Sequence, residues 1–238
     1  MSTALKPGFV LDWMSMAAPA DELRRLRATG WTREHFPELD DLYGIPQVKE
    51  HHPEVDTGIH IELVLEVAAT LTTDPRARWA ALVHDLGKAV TPVHLLPQHI
   101  DHEERGYLLA LGAAKRFGLP EDWAWLGAVT SRHHLQAHRC LDMRPHSTIK
   151  FIREASFQSK PALFECFVLA CEADARGREG RTNSAYPQAE YLRAAYSVVR
   201  EYESRFLKLE QERIAAIKPL LKQFQSLTKG ASDEQAPC

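Results

Sequence analysis

His84 and Asp85 stand side by side in the apolar run AALVHDLGK at 80–88. An unpaired ionisable group is costly to bury, so each needs a partner. The chain supplies many. It has twelve histidines, and all but His35 fall between positions 51 and 146. Helical periodicity of about 100° per residue sorts them. His60 shares a stripe with Val64, Val67 and Leu71, and His102 shares one with Gly106, Leu109 and Ala113. His133 aligns with Leu126, Val129 and Thr130, and Asp174 aligns with Leu163, Phe167, Ala170 and Cys171. Trp79, Leu82, Val83 and Leu86 make one apolar face, and His84 and Asp85 flank the small Ala81 on the other. One inward histidine is ordinary in a core. Three of them, with an inward His-Asp pair and an inward aspartate on five helices, describe a single polar centre. Imidazole and carboxylate together suit divalent transition metals. Two such ions can clamp the attacking and leaving oxygens of a phosphoryl group.

Other residues gain meaning beside that centre. Lys88 lies one turn beyond His84 and is a candidate to meet a phosphate oxygen; a helix C-terminus also favours a lysine on its own. Arg176 and Arg178 flank Asp174 and can fork onto phosphate or pair with Glu172 or Glu179. Asp56 and Thr57 either support His60 or cap its helix. His51, His52, His94, His99, His138 and His146 fall in loops or at helix ends and read as surface residues.

The elements that must carry these groups are all helical. Apolar residues recur at three- and four-residue spacing, and no sustained period-two alternation occurs. A first helix is expected at PADELRRLRATGW, then a short turn at HFPELDDLYGIP. Helices follow at about 57–73, from Asp74 through the HDLGK run, and at about 101–117, 121–136, 145–157 and 161–175. Asp74 followed by Pro75 is a strong start signal. A long amphipathic segment covers about 187–228, with Pro219 expected to kink or split it. Nothing divides the chain into two cores. One helical domain over 1–228 and a disordered tail over 229–238 are expected.

Composition sets limits. The chain has 238 residues, 45% hydrophobic and 26% charged, as in an ordinary globular protein. No apolar run approaches the ~20 residues of a membrane span, and the N-terminus does not read as a signal peptide, so a cytoplasmic place is expected. A net charge of −3 disfavours a strong general grip on nucleic acid, while leaving room for a small phosphate ester or one RNA end. Four cysteines form no C-x-x-C pair, and Cys166 and Cys171 read as core thiols.

His60, then HD at 84–85, then the distant Asp174 resemble the ligand series of the HD superfamily of metal-dependent phosphohydrolases. HFPELDDLYGIPQ, HPEVDTGIH, ALVHDLGKAVTP, CEADARGR and YPQAEYLR together resemble the C-terminal HD region of bacterial tRNA nucleotidyltransferases, the CCA-adding enzymes, from about residue 20 to 225. The resemblance implies an all-α HD-type fold. It assigns a metal to His60, His84, Asp85 and Asp174, and a second to His102 and His133, the latter chosen over His134 by its stripe. It also implies 2′,3′-cyclic phosphodiesterase and 2′-nucleotidase activity with a divalent ion (Ni, Mn, Co, Mg, Fe or Zn), nickel among the favoured. Asp85 and Lys88 would carry the chemistry, and Lys88, Arg176 and Arg178 would bind substrate. No Gly-Ser strand entry with a D-x-D pair is found, so no nucleotide addition is expected; the initial Met and coherent first helix favour a natural start of a free-standing module, with a fragment of a longer enzyme as the alternative. Two other functions remain open. One is a nucleotidase acting on 5′- or signalling nucleotides. The other is a non-catalytic module that binds tRNA or forms a homodimer through its long C-terminal helix.

Overall fold

The structure is a computed structural model that describes residues 8–204 and 210–233. Among the described residues there are twelve α-helices and no strand, with one isolated bridge between Pro46 and Asp56. The helices are α1 (Phe9–Ser15), α2 (Pro19–Ala28), α3 (Trp31–His35), α4 (Pro37–Asp40), α5 (Thr57–Leu71) and α6 (Pro75–Val83), then α7 (His102–Arg116), α8 (Glu121–His138), α9 (Pro145–Glu154), α10 (Pro161–Arg176), α11 (Pro187–Ser204) and α12 (Glu210–Asp233). The all-α expectation holds, and the middle helices begin where their caps predicted. Asp74 accepts from the Arg76 N–H, with Pro75 at the first helical position.

Three details differ from the sequence reading. A helix, α1, precedes the first one expected. The long C-terminal segment is two helices, and Pro219 lies inside α12 rather than at their division. The intervening residues 205–209 lie outside the described residues. The tail expected from 229 begins as a continuation of α12 through Asp233, and 234–238 lie outside the described residues.

Buried apolar residues form two clusters on either side of a shared layer. Around α10, Phe164, Phe167 and Cys171 pack with α8, α9, α11 and α12. Around Trp13 and Trp79, side chains of α1 to α4 and the alanines of α7 pack together. Helices α5, α6 and α8 serve both. In α6, Ala77, Ala80 and Ala81 face one cluster, while Trp79, Leu82 and Val83 face the other. Such helices are buried all round, and their apolar stripes carry little directional information.

The polar centre lies where these helices end. Helix α6 stops at Val83, and Leu86–Val90 tightens into a 3-10 turn. Side chains three apart eclipse in such a turn, which sets Lys88 over Asp85. Two glycines then permit close crossings. A Cβ on Gly87 would lie 1.9 Å from the His102 carbonyl oxygen and 2.6 Å from the Gly106 nitrogen, so α7 can press against the turn only because Gly87 lacks one. A Cβ on Gly177 would lie 2.5 Å from Val64 Cα, where the end of α10 meets α5.

Because the Gly87 contact is backbone on backbone, neither side can yield. Gly87→Ala should lower stability by more than about 2 kcal/mol or prevent folding. Gly112→Ala, in the same α7 with nothing within 4 Å of its Cβ position, should raise stability by about 0.5–1 kcal/mol. Urea denaturation followed by circular dichroism measures both, and equal midpoints for the two variants would rule out the close approach.

Candidate metal centre

Five elements deliver the side chains. His60 lies in the first turn of α5, whose N-cap Asp56 accepts from the Ile59 N–H at 3.1 Å and from the Gly44 N–H at 2.7 Å. His84 and Asp85 follow the last turn of α6, His102 opens α7, His134 lies in α8, and Asp174 in the last turn of α10. All six are buried, with Asp85 1% and Asp174 3% exposed, so no carboxylate charge here is relieved by bulk water.

Their ligand atoms form two adjoining groups. His60 Nε2 is 3.1 Å from Asp174 Oδ1, and His84 Nε2 is 3.6 Å from Asp174 Oδ2. Asp85 connects this group to the next. Its Oδ2 lies 3.1 Å from His84 Nε2 and 3.9 Å from His60 Nε2, while its Oδ1 lies 3.3 Å from His102 Nε2 and 3.7 Å from His134 Nε2. Within His60, His84 and Asp174, and again within Asp85, His102 and His134, the ligand atoms all lie within 4.8 Å of one another.

The ring orientations show what the groups can hold. The Nδ1–H of His84 donates to Ala81 O at 2.8 Å, that of His102 to His99 O at 2.7 Å and that of His134 to Ser131 O at 2.8 Å. His60 Nδ1 lies 3.1 Å from Gly177 O and 3.1 Å from Glu54 Oε1. A neutral ring so engaged turns a bare Nε2 lone pair inward. The Nε2 atoms of His102 and His134 face each other at 3.3 Å. His84 Nε2 and Asp85 Oδ1 are buried and make no hydrogen bond among the described residues. Buried polar atoms without partners are destabilising; a divalent cation in each group would satisfy them. Nitrogen and carboxylate oxygen in this mixture fit Mn, Fe, Co, Ni or Zn.

Further side chains orient the ligands, as outer partners of metal sites do. Glu54 accepts at the back of His60, and His52 Nδ1 is 3.0 Å from the same carboxylate. His138 donates from Nε2 to Asp174 Oδ2 at 2.6 Å, and its Nδ1 accepts from the Tyr186 hydroxyl at 2.9 Å. Lys88 places Nζ 2.7 Å from Asp85 Oδ2 and 2.6 Å from Gln47 Oε1. Burial opposes ionisation of Asp85, but His84, Lys88 and His102 outweigh it and hold its carboxyl well below the usual range. Asp174 is likewise held low against its burial, by His84, His138 and His60. Burial also pushes His134 well below its ordinary value, keeping it a neutral donor.

The structure brings together His60, His84, Asp85, Asp174, His102 and Lys88 as the sequence led one to expect. It does not bring His133. Its Nδ1–H donates to Gln136 Oε1 at 2.5 Å and the ring packs on Phe151, with centroids 5.4 Å apart. His134 occupies the place instead. Both are buried, because α8 is enclosed on both faces, so a stripe count cannot choose between them. Arg176 is also elsewhere engaged, with Glu172 at 2.7 Å and Thr182 O at 2.9 Å, where it braces the turn after α10. Arg178 stays close, its Nη2 3.8 Å from Asp174 Oδ1. Lys88 follows a 3-10 turn rather than a helix face. His52, His99 and His138, read as surface residues, are half-buried around the centre. His138 had a signal, since it lies four residues after His134 on one face; Glu54 and His52, in a loop, had none.

Replacing His134 and His133 separates the two readings of α8. His134→Ala should remove one of two bound ions or weaken it by about 10–100-fold, by analogy with the loss of an outer partner as a lower bound; His133→Ala should leave metal content unchanged, as read by plasma emission after dialysis. A pH titration supplies a second check. Burial works against a charge on His84, but Asp85 and Asp174 outweigh it and push its pKa up to about 9. A proton therefore occupies this ligand in the metal-free protein below that pH, and the incoming ion must displace it. Affinity should rise up to about tenfold per pH unit from pH 7 to about 9 and flatten above. Competition with a chromophoric chelator measures this, and an affinity that falls with pH would contradict it.

Residues 57–155 match the HD domain family. The chain is 42% identical to a multifunctional CCA protein of Nitrosococcus oceani over 205 residues, 81% of this chain and 50% of that one. It is 45% identical to one of Pseudomonas fluorescens SBW25 over 166 residues (70% and 41%) and 40% identical to one of Methylobacillus flagellatus over 200 (84% and 49%). The chain thus spans about half the length of the curated relatives it matches. The matched family segment contains His60, His84, Asp85, His102 and His134, and the similarity and the buried histidine–aspartate centre agree: the chain carries an HD domain and is related to the HD-bearing half of the multifunctional CCA proteins.

Proposed function

We propose that this chain is a divalent-metal phosphohydrolase acting on 2′,3′-cyclic nucleotides, on 2′-phosphomonoesters, or on RNA ends that carry them. One observation carries the reading. The buried Asp85 carboxylate turns one oxygen toward His84 and His60 and the other toward His102 and His134. That is the arrangement of a ligand shared by two cations. His60, His84 and Asp174 would hold one ion and His102 and His134 the other, with Asp85 between the two groups. When bound, these ions supply Lewis-acid activation of water and offset charge on the phosphoryl oxygens.

The chain's own groups do the rest. Lys88 keeps Asp85 ionised with one N–H and reaches Gln47 with a second. Its third donor is left for a phosphate oxygen. Lys88 and His102 both line a cleft of about 660 Å³, together with Gln47, His52, His99, Ile100 and Leu135. That volume and mixed lining suit a small ligand with a planar apolar part and a charged end. Glu54 and His138 fix the rotation of His60 and Asp174, so the donor set is ordered before substrate arrives. No described helix is long and apolar enough to cross a membrane; the substrates named place the reading in the cytoplasm. It assigns no nucleotide addition to these helices.

The test is turnover of 2′,3′-cyclic AMP after each metal is added back to chelator-treated protein. At least one of nickel, manganese or cobalt should restore activity. Asp85→Ala should reduce it by more than about a thousandfold, by losing a ligand common to both ions, with the circular dichroism spectrum unchanged. Absence of turnover with every metal, or an active Asp85→Ala protein, would end the proposal. Turnover of 5′-nucleotides but not of 2′,3′-cyclic or 2′-phosphates would transfer it to a nucleotidase of different specificity.

A further inference from the structure

A second cleft, of about 410 Å³, adjoins the metal centre beside Asp174. Two of its lining residues touch that carboxylate: His138 at 2.6 Å and Arg178 at 3.8 Å. His51 lines both this cleft and the one containing Lys88 and His102, so the two open next to each other across the 47–53 segment. Their linings differ. The first has apolar groups exposed at its wall, Ile100 at 56% and Leu135 at 37%. The second is edged by Arg178, Arg181 and Ser184.

We infer that the second cleft binds the phosphodiester next to the reacting end of a ribonucleotide chain, so that the substrate class is an oligoribonucleotide 3′ end rather than a free mononucleotide. The inference rests on the phosphohydrolase reading and deepens it. Three features support it. Arg178 has a buried Nε that makes no hydrogen bond among the described residues. Its charge is therefore only partly used by Asp174, 3.8 Å away, which also accepts from His138 at 2.6 Å. Arg181 has no ion pair or side-chain hydrogen bond with any described residue, and its N–H bonds the Arg178 carbonyl at 2.9 Å, so the two arginines leave one tight turn. Glu50 is the one acidic residue on the cleft's edge, leaving the arginines in excess. The exposed guanidinium of Arg181, leaving a fixed turn, is suited to a phosphate diester. A 2′,3′-cyclic mononucleotide has its only phosphate at the metals and leaves this cleft unused. A strand with its terminal base against Ile100 and Leu135 and its terminal phosphate at Asp85 carries its next phosphate past His51 toward Arg178 and Arg181. Base contact on one side and backbone contact on the other are the usual division in single-strand binding.

The full chain with its restoring metal is tested on two substrates, 2′,3′-cyclic AMP and an adenylyl dinucleotide ending in a 2′,3′-cyclic phosphate. The dinucleotide should show a kcat/KM at least tenfold higher. Arg181→Ala alters an exposed side chain and should remove most of that advantage while changing the mononucleotide less than twofold. The slope of log kcat/KM against log salt for the dinucleotide should become shallower by about 0.7–1, as for one lost phosphate contact on a single strand. Equal efficiency on the two substrates, or an equal loss on both in Arg181→Ala, would overturn the inference and leave the phosphohydrolase reading standing. No turnover of either substrate with any metal would overturn both.

Discussion

A carboxylate held ionised where water cannot reach it is the constraint that organises this molecule. Asp85 is 1% exposed, and burial alone would favour its protonated form. Its charge survives because partners close in from several directions: Lys88 from the 3-10 turn, His84 from the end of α6, His102 from the start of α7. Each approach needs its own structural condition. The turn must be 3-10 so that Lys88 eclipses Asp85. Gly87 must lack a Cβ so that α7 can come close. Ser131 must donate to the His84 carbonyl at 2.8 Å so that α8 joins at the correct height.

The imidazoles obey a second rule, partly local and partly tertiary. His84, His102 and His134 each give their Nδ1–H to the carbonyl three residues earlier. That contact depends only on the local turn, so the inward aim of Nε2 is set before any distant helix packs. His60 is different. It lies at the beginning of α5 and finds its carbonyl at Gly177, 117 residues away, with Glu54 beside it. Its aim therefore requires α10 to seat fully against α5, which Gly177 permits. The first group is aimed by tertiary contact, and the second largely by its own turns.

The same division explains what could be read in the sequence. Helices with a cap and a clear end were legible: Asp74–Pro75 marks α6, and Asp56 marks α5. The inward ligands His60, His102 and Asp174 were legible because the stripe through each is itself buried: Val64 and Val67 with His60, Gly106 and Ala113 with His102, Phe167 and Cys171 with Asp174. His134 was not, because α8 contributes to both apolar clusters and buries Trp123, Leu126, Ala128 and Val129 alike. Where every face is apolar, periodicity loses its direction, and His133 looked equally inward. Lys88 was legible as a residue but not as a geometry, since the change from α-helix to 3-10 turn leaves no mark in its pattern. Glu54, His52 and Gln47 lie on a loop that has no period at all. Their place depends on long-range contacts such as the Gln47 N–H to Val55 O at 2.7 Å and the Glu179 N–H to Glu54 at 3.3 Å.

The clusters on both sides of α5, α6 and α8 settle how much of the centre a metal ion would have to build. In a small domain with few apolar contacts, an ion does the folding, and its removal unfolds the chain. Here the ligands are attached to helices already enclosed by Trp13, Trp79 and Phe36 on one side and by Phe151, Phe157 and Phe167 on the other, all at 1% exposure or less. An ion entering this frame has little chain to order. It would instead remove the contacts between unshared lone pairs and stabilise by mass action, about 2.7 kcal/mol at a hundredfold excess over its dissociation constant. The apolar layers fix the positions and a cation would satisfy them, so the frame can stand in either state.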